Sequence, residues 1–316
     1  MGKRVLFLFP GNGIHQKNML ANLSKVTAGI KQCIEDIAAE SDRITGLELL
    51  DESVENPLLN QIRIFASEVA LYEYWCGIGC TPVSLIGHSL GENAASYCAG
   101  LFSLEDMIIL ISERQKFLER SVGILSMCAV NVSEKEVKRI CSEHGITLEI
   151  SARNSPNRVT VVGADPEIQR LCGILKERKM DYFQVQAAGG SHCSFFEKYR
   201  DEFMDAVSGL HFERKESIMI STVFPGGDIL PSESAEYWFR HMTDTVDFAG
   251  AMKIAVKKGA DIAIDLGVTP NLLGSAMLNA VGSDIKWLPS VRFGTDYKKR
   301  LEESTEKIKK FLYEEN

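Results

Sequence analysis

The sequence has no Cys-x-x-Cys pair, no basic block and no apolar run approaching the ~20 residues that a membrane-spanning helix needs. Each absence removes a class of function. Eight cysteines are present (Cys33, Cys76, Cys80, Cys98, Cys128, Cys141, Cys172 and Cys193), but they are scattered and form no paired knuckles, so no metal site is expected. Scattered thiols fit a reducing, cytoplasmic setting. Acidic residues outnumber basic ones by 43 to 35, and the net charge of −8 argues against nucleic-acid binding. The N-terminus, MGKRVLFLFPGNG, has a basic start, but its apolar run at residues 5–9 is too short for a signal peptide. There is neither an internal repeat nor a low-complexity linker.

What is present is ample material for a core: 316 residues, 45% of them hydrophobic. Residues 5–9 read as a buried strand closed by the turn Pro10-Gly11-Asn12-Gly13. Residues 16–45 and 60–75 have helical spacing, residues 82–86 form a second buried strand, and residues 103–120 form an amphipathic helix. Strands interleaved with helices predict a parallel α/β sheet. The middle has a different texture. Strand-like 127–132, a helix near 134–143, strands at 148–152 and 158–162, a helix near 166–179 and a strand at 182–186 follow one another. That β-α-β-β-α-β order predicts a ferredoxin-like subdomain inserted at 127–187, with the large domain made from 1–126 and 188–316. After it come long helices, a strand at 218–223, a buried strand at 262–266 and a charged helical tail from Tyr297.

The strand at 82–86 runs straight into Gly87-His88-Ser89-Leu90-Gly91, and residues 92–98 then read as a helix. A Gly-x-Ser-x-Gly string alone recurs by chance in long chains. The strand–motif–helix setting makes it a nucleophile elbow, the sharp turn that presents a serine at the edge of an α/β-hydrolase-like parallel sheet. The flanking glycines permit the strained turn and the close strand–helix approach. Ser89, at the start of the helix, would have the helix dipole and free N–H groups beside an oxyanion, with the Leu90 N–H as first donor.

A serine nucleophile needs a base. Of six histidines, His88 adjoins Ser89 but should point away from its hydroxyl, and His15 lies in the first turn region. His144, His211 and His241 fall in polar, helix-end surroundings. His192 follows the Gly-rich turn Ala187-Ala188-Gly189-Gly190-Ser191 after a strand end, a usual station for a catalytic base. A solvated loop histidine would look the same, and spacing alone leaves both readings open.

Taken together, these residues resemble the malonyl-CoA:acyl carrier protein transacylases and the acyltransferase domains of polyketide synthases, over nearly the whole chain. Phe9-Pro10-Gly11-Asn12-Gly13 is similar to the family's FPGQG, and Gly87 to Glu92 matches its GHSLGE in full. Residues 61–70 resemble the helix before the elbow. Residues 99–106 followed by Arg114 match the segment carrying its carboxylate-binding arginine. Asn154-Ser155-Pro156 with Val161-Val162-Gly163, Ser191-His192, Tyr237-Trp238 with Val246-Asp247-Phe248, and Asp265-Leu266-Gly267 complete the set in order. The resemblance implies a Ser89–His192 dyad without an acidic third member, the imidazole being steadied by a main-chain carbonyl near residues 267–271. It implies a second oxyanion donor at the N–H of Asn12, where the family usually has Gln.

For Arg114 the residues alone suggest one more charge on an amphipathic helix, beside Glu113, Lys116, Glu119 and Arg120. The resemblance places it instead in the pocket, gripping the carboxylate of a malonyl-type acyl group. His88 and Asn154 are counted among the substrate-binding positions. So is the stretch Gly189-Gly190-Ser191, which lies around the malonyl α-carbon in the polyketide enzymes. Phe before the histidine goes there with unsubstituted malonyl, and Ser, as here, with α-substituted units. The two glycines are expected to enlarge that side and expose main-chain polar groups, pointing to a hydroxy-, amino- or methoxymalonyl-like unit. Leu90 in place of Gln counts against methylmalonyl. The expected partners are an acyl carrier protein and an acyl-CoA or acyl-carrier-protein donor, with no bound cofactor. Beginning at Met1 with its first strand, the chain is read as a free-standing, monomeric enzyme of polyketide assembly. The alternatives are a transacylase of fatty acid synthesis, an acyl-thioester hydrolase on the same scaffold, and a docking module with a vestigial elbow.

Overall fold

A computed structural model describes residues 4–185, 189–213, 218–225 and 234–313, so Gln186, Ala187 and Ala188 of the predicted strand end and turn lie outside the described residues. In chain order the elements are β1 (Val5–Phe9), α1 (Met19–Leu23), α2 (Ala28–Thr45), α3 (Pro57–Gly77), β2 (Pro82–Gly87), α4 (Gly91–Cys98) and α5 (Leu104–Leu118). Then come β3 (Leu125–Val130), α6 (Glu134–His144), β4 (Glu149–Ser155), β5 (Arg158–Ala164), α7 (Asp165–Glu177) and β6 (Tyr182–Gln184). The chain continues with α8 (Arg200–Ala206), α9 (Ala235–Thr243), α10 (Phe248–Lys258), β7 (Ile262–Asp265), α11 (Leu273–Asn279), β8 (Lys286–Pro289) and α12 (Tyr297–Tyr313).

The continuous apolar run of β1 becomes a strand covered on both faces. Val5, Phe7 and Phe9 enter one apolar cluster, while Leu6 and Leu8 enter another on the opposite side. That is the pattern a central parallel strand requires, because helices pack on both sheet faces. The parallel sheet has the order β2-β1-β7-β8. Side-chain caps fix where its helices begin. Asn56 Oδ1 accepts from the Leu58 and Leu59 N–H groups, with Pro57 opening α3, and Ser103 Oγ accepts from Asp106 N–H at 3.0 Å to start α5.

The second sheet is antiparallel, in the order β4-β5-β3-β6, which is how a ferredoxin-like β-α-β-β-α-β succession closes. Its helices α6 and α7 bury Val137, Ile140, Ile168, Leu171 and Leu175 against Cys128, Val130, Val159 and Val161. The sheet begins at Leu125, two residues earlier than its sequence suggests. The α/β fold with a parallel sheet and a small ferredoxin-like one is therefore as the sequence predicts.

The strand expected at 218–223 is not one. Met219 makes a single bridge to Leu85 of β2, and the chain then turns away. Ser221 Oγ accepts from the N–H groups of Val223 and Phe224, each at 3.0 Å, and Thr222 is drawn inward to the buried carboxylate of Glu92. Two hydroxyls competing for main-chain and carboxylate partners end the ladder after one bridge.

Three glycines bring β1, β2 and α4 together. A Cβ on Gly91 would collide with the Phe9 carbonyl, one on Gly87 with the Glu92 main chain, and one on Gly11 with the His88 carbonyl. Gly173, on the exposed side of α7, has open space around it. Gly91→Ala should therefore lose about 3 kcal/mol of stability or more, and Gly173→Ala should gain about 0.5–1 kcal/mol, as read by urea unfolding. Equal effects of the two substitutions would contradict this account of the crossing.

Candidate active site

Four non-glycine residues among those described have positive φ: Asn18, Ser89, Lys179 and His192. Two of the four are the residues expected to react. Such a conformation costs of order 1–3 kcal/mol per residue and persists only where the surroundings fix it. At Ser89 (φ 54°) the turn is fixed by main-chain bonds: His88 N–H to Phe9 O at 2.9 Å, Gly91 N–H to His88 O at 3.0 Å, and Glu92 N–H to Ser89 O at 2.9 Å. At His192 (φ 58°) the main-chain N–H donates to Met242 O at 2.9 Å.

These two turns place Ser89 Oγ 2.8 Å from His192 Nε2. His192 is 3% exposed. Burial holds its pKa well below the ordinary 6.5, and the neighbouring His241, Arg114 and His88 push the same way. The imidazole is therefore neutral and accepts the Ser89 hydroxyl proton at Nε2. Among the described residues His192 Nδ1 has no hydrogen-bond partner, and the main-chain carbonyl that acts on the ring, favouring its charged form, is that of His241 at the end of α9. No carbonyl of residues 267–271 accepts a hydrogen bond from the ring, so the steadying bond expected from that loop is not formed.

Leu90 is buried at the start of α4, and Gly11 packs against its main-chain N. Among the described residues nothing accepts the N–H of Leu90 or of Asn12. Both expected oxyanion donors are thus unoccupied amides flanking the same crossing.

Arg114, on α5, is 2% exposed, so the surface-charge reading does not hold. Its Nη1 donates to Asn93 Oδ1 at 2.8 Å and its Nη2 to His241 Nδ1 at 3.0 Å, while its buried Nε has no partner. Burial lowers its pKa to about 10, partly offset by the Glu92 charge. Glu92 itself is pushed up to about 8 by burial, against hydrogen bonds from Thr222. It is bonded by the hydroxyls of Thr222 and Tyr237, and its Oε2 lies 3.5 Å from His241 Nε2.

Other expected site residues are engaged elsewhere. His88 points away from Ser89, as expected, but its Nε2 sits 2.7 Å from Asn154 Oδ1 and its ring packs on Phe248. The Asn154 amide is used at both ends, its Nδ2 donating to Thr160 Oγ1 at 3.1 Å. The Gly189-Gly190 pair does not open the pocket. Ser121 Oγ lies 3.0 Å from both the N and the O of Gly190, so those main-chain groups are satisfied rather than exposed. A Cβ on Gly190 would come within 2.7 Å of Val162 Cγ2 and 2.8 Å of Leu125 Cβ. The glycines are there because the turn is pressed onto Ser121 and the antiparallel sheet. Ser191 turns its hydroxyl toward Met127 Sδ at 3.7 Å.

Sequence reasoning missed Asn93 and His241, and misjudged the latter's surroundings. His241 is 0% exposed. The signal available was the spacing of Tyr237, Trp238 and His241, three and four apart on one helix face. Asn93 lies four residues after Ser89, on the same side of the first turn. Among the described residues, no three His, Cys, Asp or Glu side chains cluster as metal ligands would, and no helix is long and apolar enough to cross a membrane.

Residues 6–292 match the family model described as acyl transferase domain. The chain is 28% identical over 310 residues to the non-reducing polyketide synthase pks27 of Aspergillus flavus, an alignment covering 93% of this chain and 15% of that protein. It thus spans about a seventh of that curated relative's length. Its fold is similar to the acyltransferase domain from module 8 of the salinomycin polyketide synthase, with a TM-score of 0.86 at 26% identity over 96% of this chain and 75% of that one. A malonyl-transacylase solved with its type II polyketide synthase acyl-carrier protein shares the fold, with a TM-score of 0.79 at 21% identity over 96% and 99% of the two chains. With the elbow, its histidine and a match running from β1 to beyond β8, the chain belongs to the acyl transferase domain family and is an acyltransferase.

Proposed function

We propose that the chain moves a malonyl-type acyl group from a CoA or carrier-protein thioester, through an ester on Ser89, to the phosphopantetheine thiol of an acyl carrier protein. The observation that carries this reading is the 2.8 Å contact between Ser89 Oγ and a neutral His192, in one buried network with an arginine whose Nε is unpaired. His192 takes the hydroxyl proton as Ser89 Oγ bonds to the thioester carbon. The carbonyl electron pair moves onto oxygen, facing the N–H groups of Leu90 and Asn12. Collapse of this intermediate breaks the C–S bond, and the thiol leaves with the proton from His192. The carrier's thiol then enters, gives its proton to His192, and the same steps run backward. Arg114 grips the far carboxylate, with Nε free to complete a two-point contact.

The reading extends to an α-substituted unit, supplied in trans to a carrier protein of polyketide assembly. Its support is the small side chain of Ser191 beside the adaptable side chain of Met127.

Intact-protein mass spectrometry tests both levels. Ser89→Ala should carry no acyl adduct after incubation with malonyl thioesters, and a full adduct would remove the dyad from the mechanism. Arg114→Ala should lower loading of carboxylated donors by roughly 100-fold, the cost of losing a buried charged pair. Offered malonyl, methylmalonyl and hydroxymalonyl donors together, the protein should load a substituted unit fastest, and preference for malonyl would overturn the α-substituted reading. Release of free acid in place of transfer to the carrier would make it a hydrolase.

A pH profile tests the state of the base. Protonation of His192 removes its catalytic lone pair, and its pKa lies below 6.5. Loading at low donor concentration should stay level as pH falls from 8 through 6.5, declining only below it. A midpoint at or above 6.5 would contradict the buried, neutral imidazole.

A further inference from the structure

The contacts of Arg114 raise a question the transfer chemistry leaves open: what aims the guanidinium without neutralising it. A guanidinium can only donate. Its 3.0 Å contact with His241 Nδ1 therefore fixes that nitrogen as the lone-pair side of a neutral ring, with the proton on Nε2. Nε2 faces Glu92 Oε2 at 3.5 Å. The ring cannot swing. It stacks on Tyr237 (6.4 Å between centroids, 21° between planes) and meets Trp238 at 5.2 Å and His192 edge-on at 5.4 Å. The other Nη group is held by the neutral amide oxygen of Asn93.

Both acceptors on Arg114 are thus uncharged, and Glu92, the acidic side chain of the network, forms no ion pair with the guanidinium and meets the far nitrogen of the imidazole instead. A carboxylate touching the guanidinium would compete with the acyl carboxylate for the same donors. We infer that His241 is a positioning residue, a neutral imidazole spacer that aims Arg114 at the acyl carboxylate while holding Glu92 out of contact with it. This rests on the reading of Arg114 as the carboxylate grip. Substitution changes the side chain alone and leaves the main-chain carbonyl of His241, which acts on the His192 ring, in place.

The test compares loading of malonyl-CoA and acetyl-CoA, which differ in the carboxylate, as the ratio of their kcat/KM values in purified protein. His241→Leu removes the acceptor and should lower the malonyl-to-acetyl ratio about tenfold or more. His241→Gln keeps a neutral acceptor and should restore the ratio to within about threefold of the unsubstituted protein. His241→Glu brings a carboxylate into contact and should lower the ratio toward that of Arg114→Ala. An unchanged ratio in His241→Leu, or equal ratios in the Gln and Glu variants, would overturn the inference. Should His241→Leu fail to fold, the Gln and Glu comparison decides alone. If Arg114→Ala leaves the ratio unchanged, the grip itself is wrong. If it collapses the ratio while the His241 variants do not, only the spacer role fails.

Discussion

The Phe9 carbonyl accepts the His88 N–H and lies against Gly91 with no room for a Cβ between them. From that main-chain crossing the remaining geometry follows. It sets the end of the central strand beside the first turn of α4, so that Ser89 is forced into a left-handed turn and Leu90 presents its amide outward. It also brings the β1–α1 loop over the elbow, which places Asn12 on the other flank. Side-chain chemistry enters only after three glycines have allowed three backbone segments to meet.

Around this crossing the protein buries an unusual density of ionisable groups with little room for solvent to relax them. His88, His192 and His241 all lie below their ordinary imidazole range through burial, while Glu92 lies above its carboxylate range. The consequence is a site whose histidines are uncharged, the tautomer of His241 being set by the donating guanidinium of Arg114. Arg114 is the cation at its centre. In so dry a place an arginine is held by lone pairs until an anion arrives, and the attraction that anion meets is little screened.

Much of this was legible in the sequence for identifiable reasons. The VLFLF run and the GHSLG turn carry local rules strong enough to survive any tertiary context, and the β-α-β-β-α-β order of the middle specifies its own sheet. Ser89 is marked by its motif and setting, whereas His192 and Arg114 are singled out by the family resemblance and not by spacing. The strand at 218–223 misled because the apolar run Ile218-Met219-Ile220 says nothing of Ser221 choosing main-chain N–H groups, and Thr222 a buried carboxylate, over a ladder. His241 was hidden because a histidine near a helix end looks solvated until the helix is known to be packed all round. The Gly189-Gly190 pair was read as empty space, yet glycine also marks where a neighbour comes too close for a side chain. Only the fold shows which neighbour.

The hold of Ser121 on that pair has a practical consequence for engineering. The four residues ending at His192 are not a portable cassette, since their path is set by a hydroxyl on the turn after α5 and by Leu125 and Val162 of another sheet. A transplanted stretch with bulkier residues at those two positions arrives without its seat. It must travel together with residues 121, 125 and 162, or the histidine it is meant to accompany will be carried out of reach of the serine.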